Sequence, residues 1–188
     1  MKPWLANYDS DVRPCLAPYP DSTLIDYLEK LARDNGAATA LLFKGATMSY
    51  AEMDRASTAF AAALWDLGVR KGDRVALLLP NCPQFFVAEF GAWKAGAIVV
   101  AVNPIYSERE LEQTLYSTRT DTVVTLTPFY TRVKAVQGRA GVKRVIATSI
   151  KEYLTPALRL LFTLFKEAKE GHRITIASDD IWLQDLLR

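Results

Sequence analysis

"GVRKGDRVALLLPNCPQF", residues Gly68–Phe85, decides how the whole chain is read. Two glycines, a Lys-Gly step and an apolar run are the ingredients of a phosphate-gripping unit, but their order is wrong. Upstream, "SYAEMDRASTAFAAALWDLG" reads as a helix. Ser49 and Glu52 form a capping box, and Met53, Phe60, Leu64 and Leu67 recur at helical spacing. Gly68 then supplies the left-handed residue that closes the helix. "VRKGD" is a connection and "RVALLLP" a buried strand. A phosphate cradle runs the other way, from strand through glycines into a helix N-terminus whose N–H groups face the anion. Neither G-x-x-x-x-G-K-[ST] nor G-x-G-x-x-G occurs anywhere in the chain. Lys71 and Gly72 turn a corner, and an independent nucleotide-binding domain is set aside.

Working outward, helices and strands alternate. After a proline-bearing lead, "DSTLIDYLEKLARDNG" is a helix with Leu24, Ile25, Leu28 and Leu31 on one face, Ser22 or Thr23 at its start and Gly36 at its end. "ATALLF" is a short strand that "KGA" turns into "TMSY". Beyond Phe85, "PQFFVAEFGAWKAG" is helical, with Phe86, Phe90 and Trp93 among its apolar residues and Gly96 at its end. "AIVVAVNP" is a strand, and "SERELEQTLYSTR" a helix with a second capping box, Ser107 and Glu110. "DTVVTL" is a strand, "TPFYTRVKAV" a short helix and "VKRVIATS" a fourth strand. Strands about 20–25 residues apart with helices between them predict right-handed βαβ crossovers. Their near-continuous apolarity predicts a parallel sheet covered on both faces. The expected fold is therefore α/β, a three-layer domain with a mainly parallel sheet flanked by helices.

The expected organisation is an irregular lead over 1–20, an α/β subdomain over 21–150, and an apolar helical insert with the start of a next subdomain over 151–188. In the insert Leu158, Leu161, Phe162 and Phe165 share a helix face, and Leu160 and Leu164 widen it. Arg159, Lys166 and Lys169 add charge. Such a helix either packs on protein or lies in a membrane interface. "RITIA" reads as an isolated strand and "DIWLQDLLR" as a helix just beginning, so the ending reads as cut.

Composition narrows the partners. The 188 residues carry 23 basic and 21 acidic side chains, a balance without the basic footprint of a nucleic-acid binder. Cys15 and Cys82 are the only cysteines; no Cys/His cluster has metal-ligand spacing, and no secretory signal or membrane-spanning run is present, so a cytoplasmic location is expected. The single histidine, His172, stands in the polar "KEGHRIT" and is expected to be an exposed loop residue. Asn81, Cys82 and Pro83 close a parallel strand, at the edge where α/β ligand sites collect. Cys82 reads as a small residue in a tight turn, with a depressed pKa at a helix N-terminus as the alternative. Asn103-Pro104 reads as a turn in which the Asn side chain bonds the backbone. Phe90 and Trp93 read as core.

The stretch from Met48 to Leu115 resembles the N-terminal region of the AMP-forming acyl-CoA synthetases, the adenylate-forming superfamily. Its marks are Tyr50 with Glu52, the run from Leu67 to Ala76, Pro80-Asn81-Cys82-Pro83, Lys94-Ala95-Gly96-Ala97, and Asn103-Pro104 followed by Glu110-Leu111. Each is weak alone, and their order and spacing together are specific. Ala101 stands where many relatives have proline. The lead "KPWLANYDSDVRP" and the insert Leu154–Phe165 resemble the long-chain fatty acid branch. The resemblance implies the N-terminal subdomain fold, and a reaction in which a fatty acid and ATP give acyl-AMP before coenzyme A displaces AMP, with Mg²⁺ assisting. It implies the fatty acid, ATP and coenzyme A as partners of a complete enzyme, with peripheral membrane contact and a homodimer compatible. The family's Ser/Thr/Gly-rich loop, aromatic-Gly-x-Thr-Glu segment, ribose-holding Asp and C-terminal lysine have no counterpart in these residues. No catalytic, cofactor-binding or metal residue is therefore assigned, and the chain alone is expected to be inactive. The alternative is a stand-alone, non-catalytic interaction or dimerisation module of the same fold.

Overall fold

A computed structural model describes residues 2–188. Local signals set most of its elements. Helix α1 (Leu24–Asp34) starts at a capping box in which the Thr23 hydroxyl accepts from the Asp26 N–H and the Asp26 carboxylate accepts from the Thr23 N–H. Asn35, not Gly36, caps its end. A two-stranded antiparallel hairpin follows, β1 (Thr39–Phe43) and β2 (Ala46–Ser49), and Lys44 at its turn takes a left-handed conformation with φ 48°. Helix α2 (Tyr50–Asp66) begins at the Ser49/Glu52 box, and Gly68 follows its end at φ 85°.

The main sheet has five strands in the order β4-β3-β5-β6-β7, and every pairing is parallel. They are β3 (Arg74–Leu78), β4 (Ile98–Ala101), β5 (Thr122–Leu126), β6 (Arg144–Thr148) and β7 (Ile181–Trp182). Helices α3 (Pro83–Lys94), α4 (Glu108–Ser117) and α5 (Tyr130–Ala140) make the connections. Strand alternation sorts the core into two layers. Val75, Leu77, Val124 and Ile146 pack with α1, α2 and α3, and Ala76, Leu78, Val123, Val145 and Ala147 pack with α4 and α5. The three-layer α/β expectation holds.

Several details differ from the sequence reading. There is a fifth strand: "RITIA" forms none, and the pairing with β6 comes from Ile181 and Trp182 instead. β4 lies at the sheet edge and is not covered throughout, with Ile98 and Ala101 exposed, because apolar composition does not separate an edge strand from a central one. The helix beginning near Tyr130 runs on to Ala140. In α3 the buried face is Val87, Ala88, Gly91 and Ala92, while Phe90 and Trp93 are half-buried and stack edge-on at 5.2 Å. Small residues face α2 because the helices approach closely: a Cβ at Gly91 would lie 2.7 Å from Phe60 Cδ1 and 2.8 Å from the Ser57 carbonyl oxygen. Lys94 fastens the same pair, its Nζ lying 2.6 Å from the Asp54 carboxylate.

A candidate cleft at the switch point of the sheet

The chain leaves β3 towards β4 on one side and leaves β5 towards β6 on the other, and β3 and β5 are neighbours. Their connections diverge, α3 onto one face and α5 onto the other. In such sheets a crevice opens beyond the carboxyl ends of the two strands. A cleft of about 260 Å³ lies there, with Pro80 beyond β3, Leu126 at the end of β5 and Phe129 beyond it, Ile150 beyond β6, and Leu154, Phe162 and His172 closing it. Its walls are mostly apolar.

His172 is not the exposed loop residue its polar neighbours suggest. It is half-buried; Nδ1 shares a 2.8 Å hydrogen bond with Thr127 Oγ1, and the ring meets Phe162 edge-on at 5.0 Å. Burial pulls its pKa below the usual imidazole value, with Glu170 and Glu167 opposing. Cys82 caps α3 without a side-chain hydrogen bond and is 2% exposed. Burial pushes its thiol up to about 11, outweighing the N–H groups of Phe85 and Gln84, so the reading of a depressed pKa is corrected. Tyr153 is pushed up to about 12, first by burial and then by the negative charge of Cys82 and Glu152. Asn103 forms the expected turn, its Oδ1 accepting from the Ile105 N–H at 3.1 Å. Asn81 is exposed beside Cys82.

Other groups at this edge carried no sequence motif. Gln84 is fully buried, and its Nε2 donates to the Ser149 carbonyl at 2.8 Å. Gln84 Oε1 and Ser149 Oγ have no partner among the described residues. Gln84 precedes Val87 and Ala88 by three and four residues, so a polar residue on the helix's inward stripe was the available signal. Tyr130 donates to Asp180, accepts from the Ala177 N–H at 2.8 Å, and shares Asp180 with Lys134 at 2.9 Å, pinning the segment before β7 to α5.

A second cavity of about 350 Å³ lies beyond β6 and β7. Its cations are largely neutralised within the chain: Lys151 by Glu167, Arg159 by Glu152 and Arg188 by Asp185. Among the described residues no three His, Cys, Asp or Glu side chains converge to hold a metal. The N-terminus of α3 is shut by buried Cys82 and Pro83. The residues present therefore do not fit ATP with its divalent cation, and no chemical step is derived through them.

A doubly wound parallel sheet flanked by helices on both faces, with an apolar cleft at its switch point, defines a three-layer α/β domain. The family model described as AMP-binding enzyme matches residues 28–180, and the chain belongs to that family. It is 35% identical over 169 residues to a long-chain-fatty-acid–CoA ligase of Bacillus subtilis, covering 90% of this chain and 30% of the relative. It is 37% identical over 157 residues to one of Escherichia coli O157:H7, covering 83% and 28%. Among solved structures, a long-chain-fatty-acid–CoA ligase from Archaeoglobus fulgidus superposes with a TM-score of 0.63 at 26% identity, covering 72% of this chain and 30% of that one. An anthranilate CoA ligase in complex with anthranoyl-AMP shares the fold, with a TM-score of 0.70 at 20% identity over 87% of this chain and 27% of that one. The chain thus spans less than a third of the length of these relatives.

Proposed function

We propose that these residues form the N-terminal part of an ATP-dependent long-chain fatty acid–CoA ligase and are inactive by themselves. Fatty acid, ATP and coenzyme A would be the substrates of the complete enzyme, with Mg²⁺ assisting and a cytoplasmic location with peripheral membrane contact. The observation that carries the reading is the 35% identity spread over 90% of the chain, which takes in the insert as well as the sheet. The apolar switch-point cleft supports it, since its walls suit a hydrocarbon chain and offer no phosphate cradle. In this reading the chain contributes one wall of an acyl site and the groups that handle phosphate lie elsewhere in the enzyme. No residue here is given a catalytic, cofactor-binding or metal role.

The test is a transplant. This chain replaces the matched segment of the Bacillus subtilis ligase, and palmitate-dependent ATP–pyrophosphate exchange is measured for the chimera and for the chain alone. The folded chimera is expected to keep exchange within about tenfold of its parent, or roughly 1.4 kcal/mol of barrier, and the chain alone to show none. Exchange by the chain alone, or a folded chimera without palmitate-dependent exchange, would overturn the reading.

A further inference from the structure

After helix α6 (Pro156–Phe165) the chain passes over Thr127, just beyond β5, on its way to β7. Two carboxylates are buried among the described residues, Glu167 and Asp180, and they bracket this passage. Glu167 is paired with Lys151, in the turn after β6. Asp180 is paired with Lys134 at 2.9 Å and accepts from Tyr130, whose hydroxyl in turn accepts from the Ala177 N–H. Removing one partner of a buried pair leaves an uncompensated charge, so both ends of the passage are firmly anchored.

The stretch between the anchors is held quite differently. His172, Ile174 and Ile176 are half-buried while Arg173 and Thr175 are exposed, the alternation of a strand. It nevertheless pairs with no strand, and from Ile174 to Ile176 no backbone group has a backbone hydrogen bond among the described residues. From Ala168 to Ile176 the one side-chain hydrogen bond to the body of the domain, among the described residues, joins His172 Nδ1 to Thr127 Oγ1 at 2.8 Å. Gly171, at φ 72° and with nothing within 4 Å of the Cβ it lacks, provides a pivot. Few backbone bonds and few buried contacts mark a segment that opens without unfolding the rest.

His172 is the only described residue that lines both the apolar cleft at the switch point and the polar cavity beyond β6. Its ring stands edge-on to Phe162 on the cleft side and so forms the wall between them. On the polar side lies the buried Ser149 hydroxyl, which has no partner among the described residues.

We propose that residues 168–176 form a strap, anchored at Glu167 and Asp180, that swings outward and lifts His172 off Thr127. Closed, it keeps an apolar and a polar chamber apart. Open, it joins them, and a ligand with an apolar body and a polar end then spans both. The inference does not rest on the ligase reading, and its test uses no enzyme activity.

The test reads thiol reactivity in the folded chain. Thr127 is 1% exposed and its hydroxyl bonds His172, so Thr127→Cys in a Cys15→Ser chain sets a thiol directly beneath the strap. With a disulfide reagent, that thiol is expected to react at a rate that low urea leaves unchanged, because a local opening exposes little new surface, whereas the rate at Cys82 should climb with urea. Tyr130→Phe removes the bonds to Ala177 and Asp180 at the far anchor and should speed the new thiol about fivefold or more, beyond any change at Cys82. The same urea dependence at both thiols would show that Thr127 is uncovered only by global unfolding, and would overturn the proposal. A rate that Tyr130→Phe leaves unchanged would overturn it equally. If the melting curve shows that the cysteine variant is unfolded, trypsin on the unaltered chain decides. Cleavage after Arg173, exposed in the strap, is expected at a rate indifferent to low urea, and cleavage there only as fast as the whole chain unfolds would sink the proposal.

Discussion

Replacing Gly91 by alanine adds one methyl group where α2 and α3 touch. The new Cβ would lie 2.7 Å from Phe60 Cδ1, 2.8 Å from the Ser57 carbonyl oxygen and 3.0 Å from Phe60 Cβ. Phe60 is fully buried and Ser57 O is backbone, so neither can swing aside. Ordinary contact begins near 3.4 Å, so the helices must part by roughly half an ångström along their seam. Overpacking of this kind costs about 1–3 kcal/mol, against which alanine gains about 1 kcal/mol over glycine in a helix interior. The net expectation is a loss of up to about 2 kcal/mol, which in a domain of this size lowers Tm by up to about 8 °C. Gly138 in α5 provides the opposite case. Nothing lies within 4 Å of the Cβ it would gain, so Gly138→Ala should stabilise by about 0.4–1 kcal/mol. Urea denaturation followed by circular dichroism reads both. If Gly91→Ala proves as stabilising as Gly138→Ala, the close approach of α2 and α3 is not a constraint and the reasoning fails.

Two further outcomes follow from the titrating groups. With a disulfide reagent at pH 8, Cys15, exposed and with its pKa lowered chiefly by the Ala17 N–H, should react at once. Cys82, with a thiol near 11 and so about one thiolate in a thousand, should wait for denaturant; two native thiols reacting at similar rates would refute its burial. Stability should also fall in two stages as pH drops. His172 has its pKa depressed by burial, so the unfolded chain protonates first and stability declines through the ordinary imidazole range near 6.5. Asp26, Glu52 and Glu110 are held below the usual carboxylate range by their capping boxes, so their contribution is full above about pH 5 and drains below about pH 4. His172→Gln should erase the upper stage and leave the lower, as read from urea midpoints across pH.

The elements legible in the sequence were those fixed within a few residues. Thr23 with Asp26, Ser49 with Glu52 and Ser107 with Glu110 start their helices by purely local hydrogen bonds. β3, β5 and β6 are short apolar runs between turn residues, and the sheet buries nearly all of their length. β7 escaped notice because two residues have no periodicity; its place depends on pairing with β6 and on the Asp180 anchor to α5. His172 was hidden by its polar neighbours, since burial comes from Thr127 and Phe162, distant in sequence. At Cys82 the helix N-terminus and burial act in opposite directions, and only the packing shows that burial wins. For α6 (Pro156–Phe165) the spacing revealed an apolar face but not that it points outward. The switch-point cleft depends on strand order, which no local pattern encodes.

The placement of α6 has an evolutionary corollary. It lies within about 30 residues that leave the sheet after β6 and return to it at β7. Closing a flexible loop costs little more as it lengthens, about 0.6 kcal/mol for each doubling. Such an excursion can grow, shrink or be exchanged while the strands on either side keep their register. Selection can therefore change the surface this connection presents by editing the loop alone, leaving the strands that frame the cleft untouched.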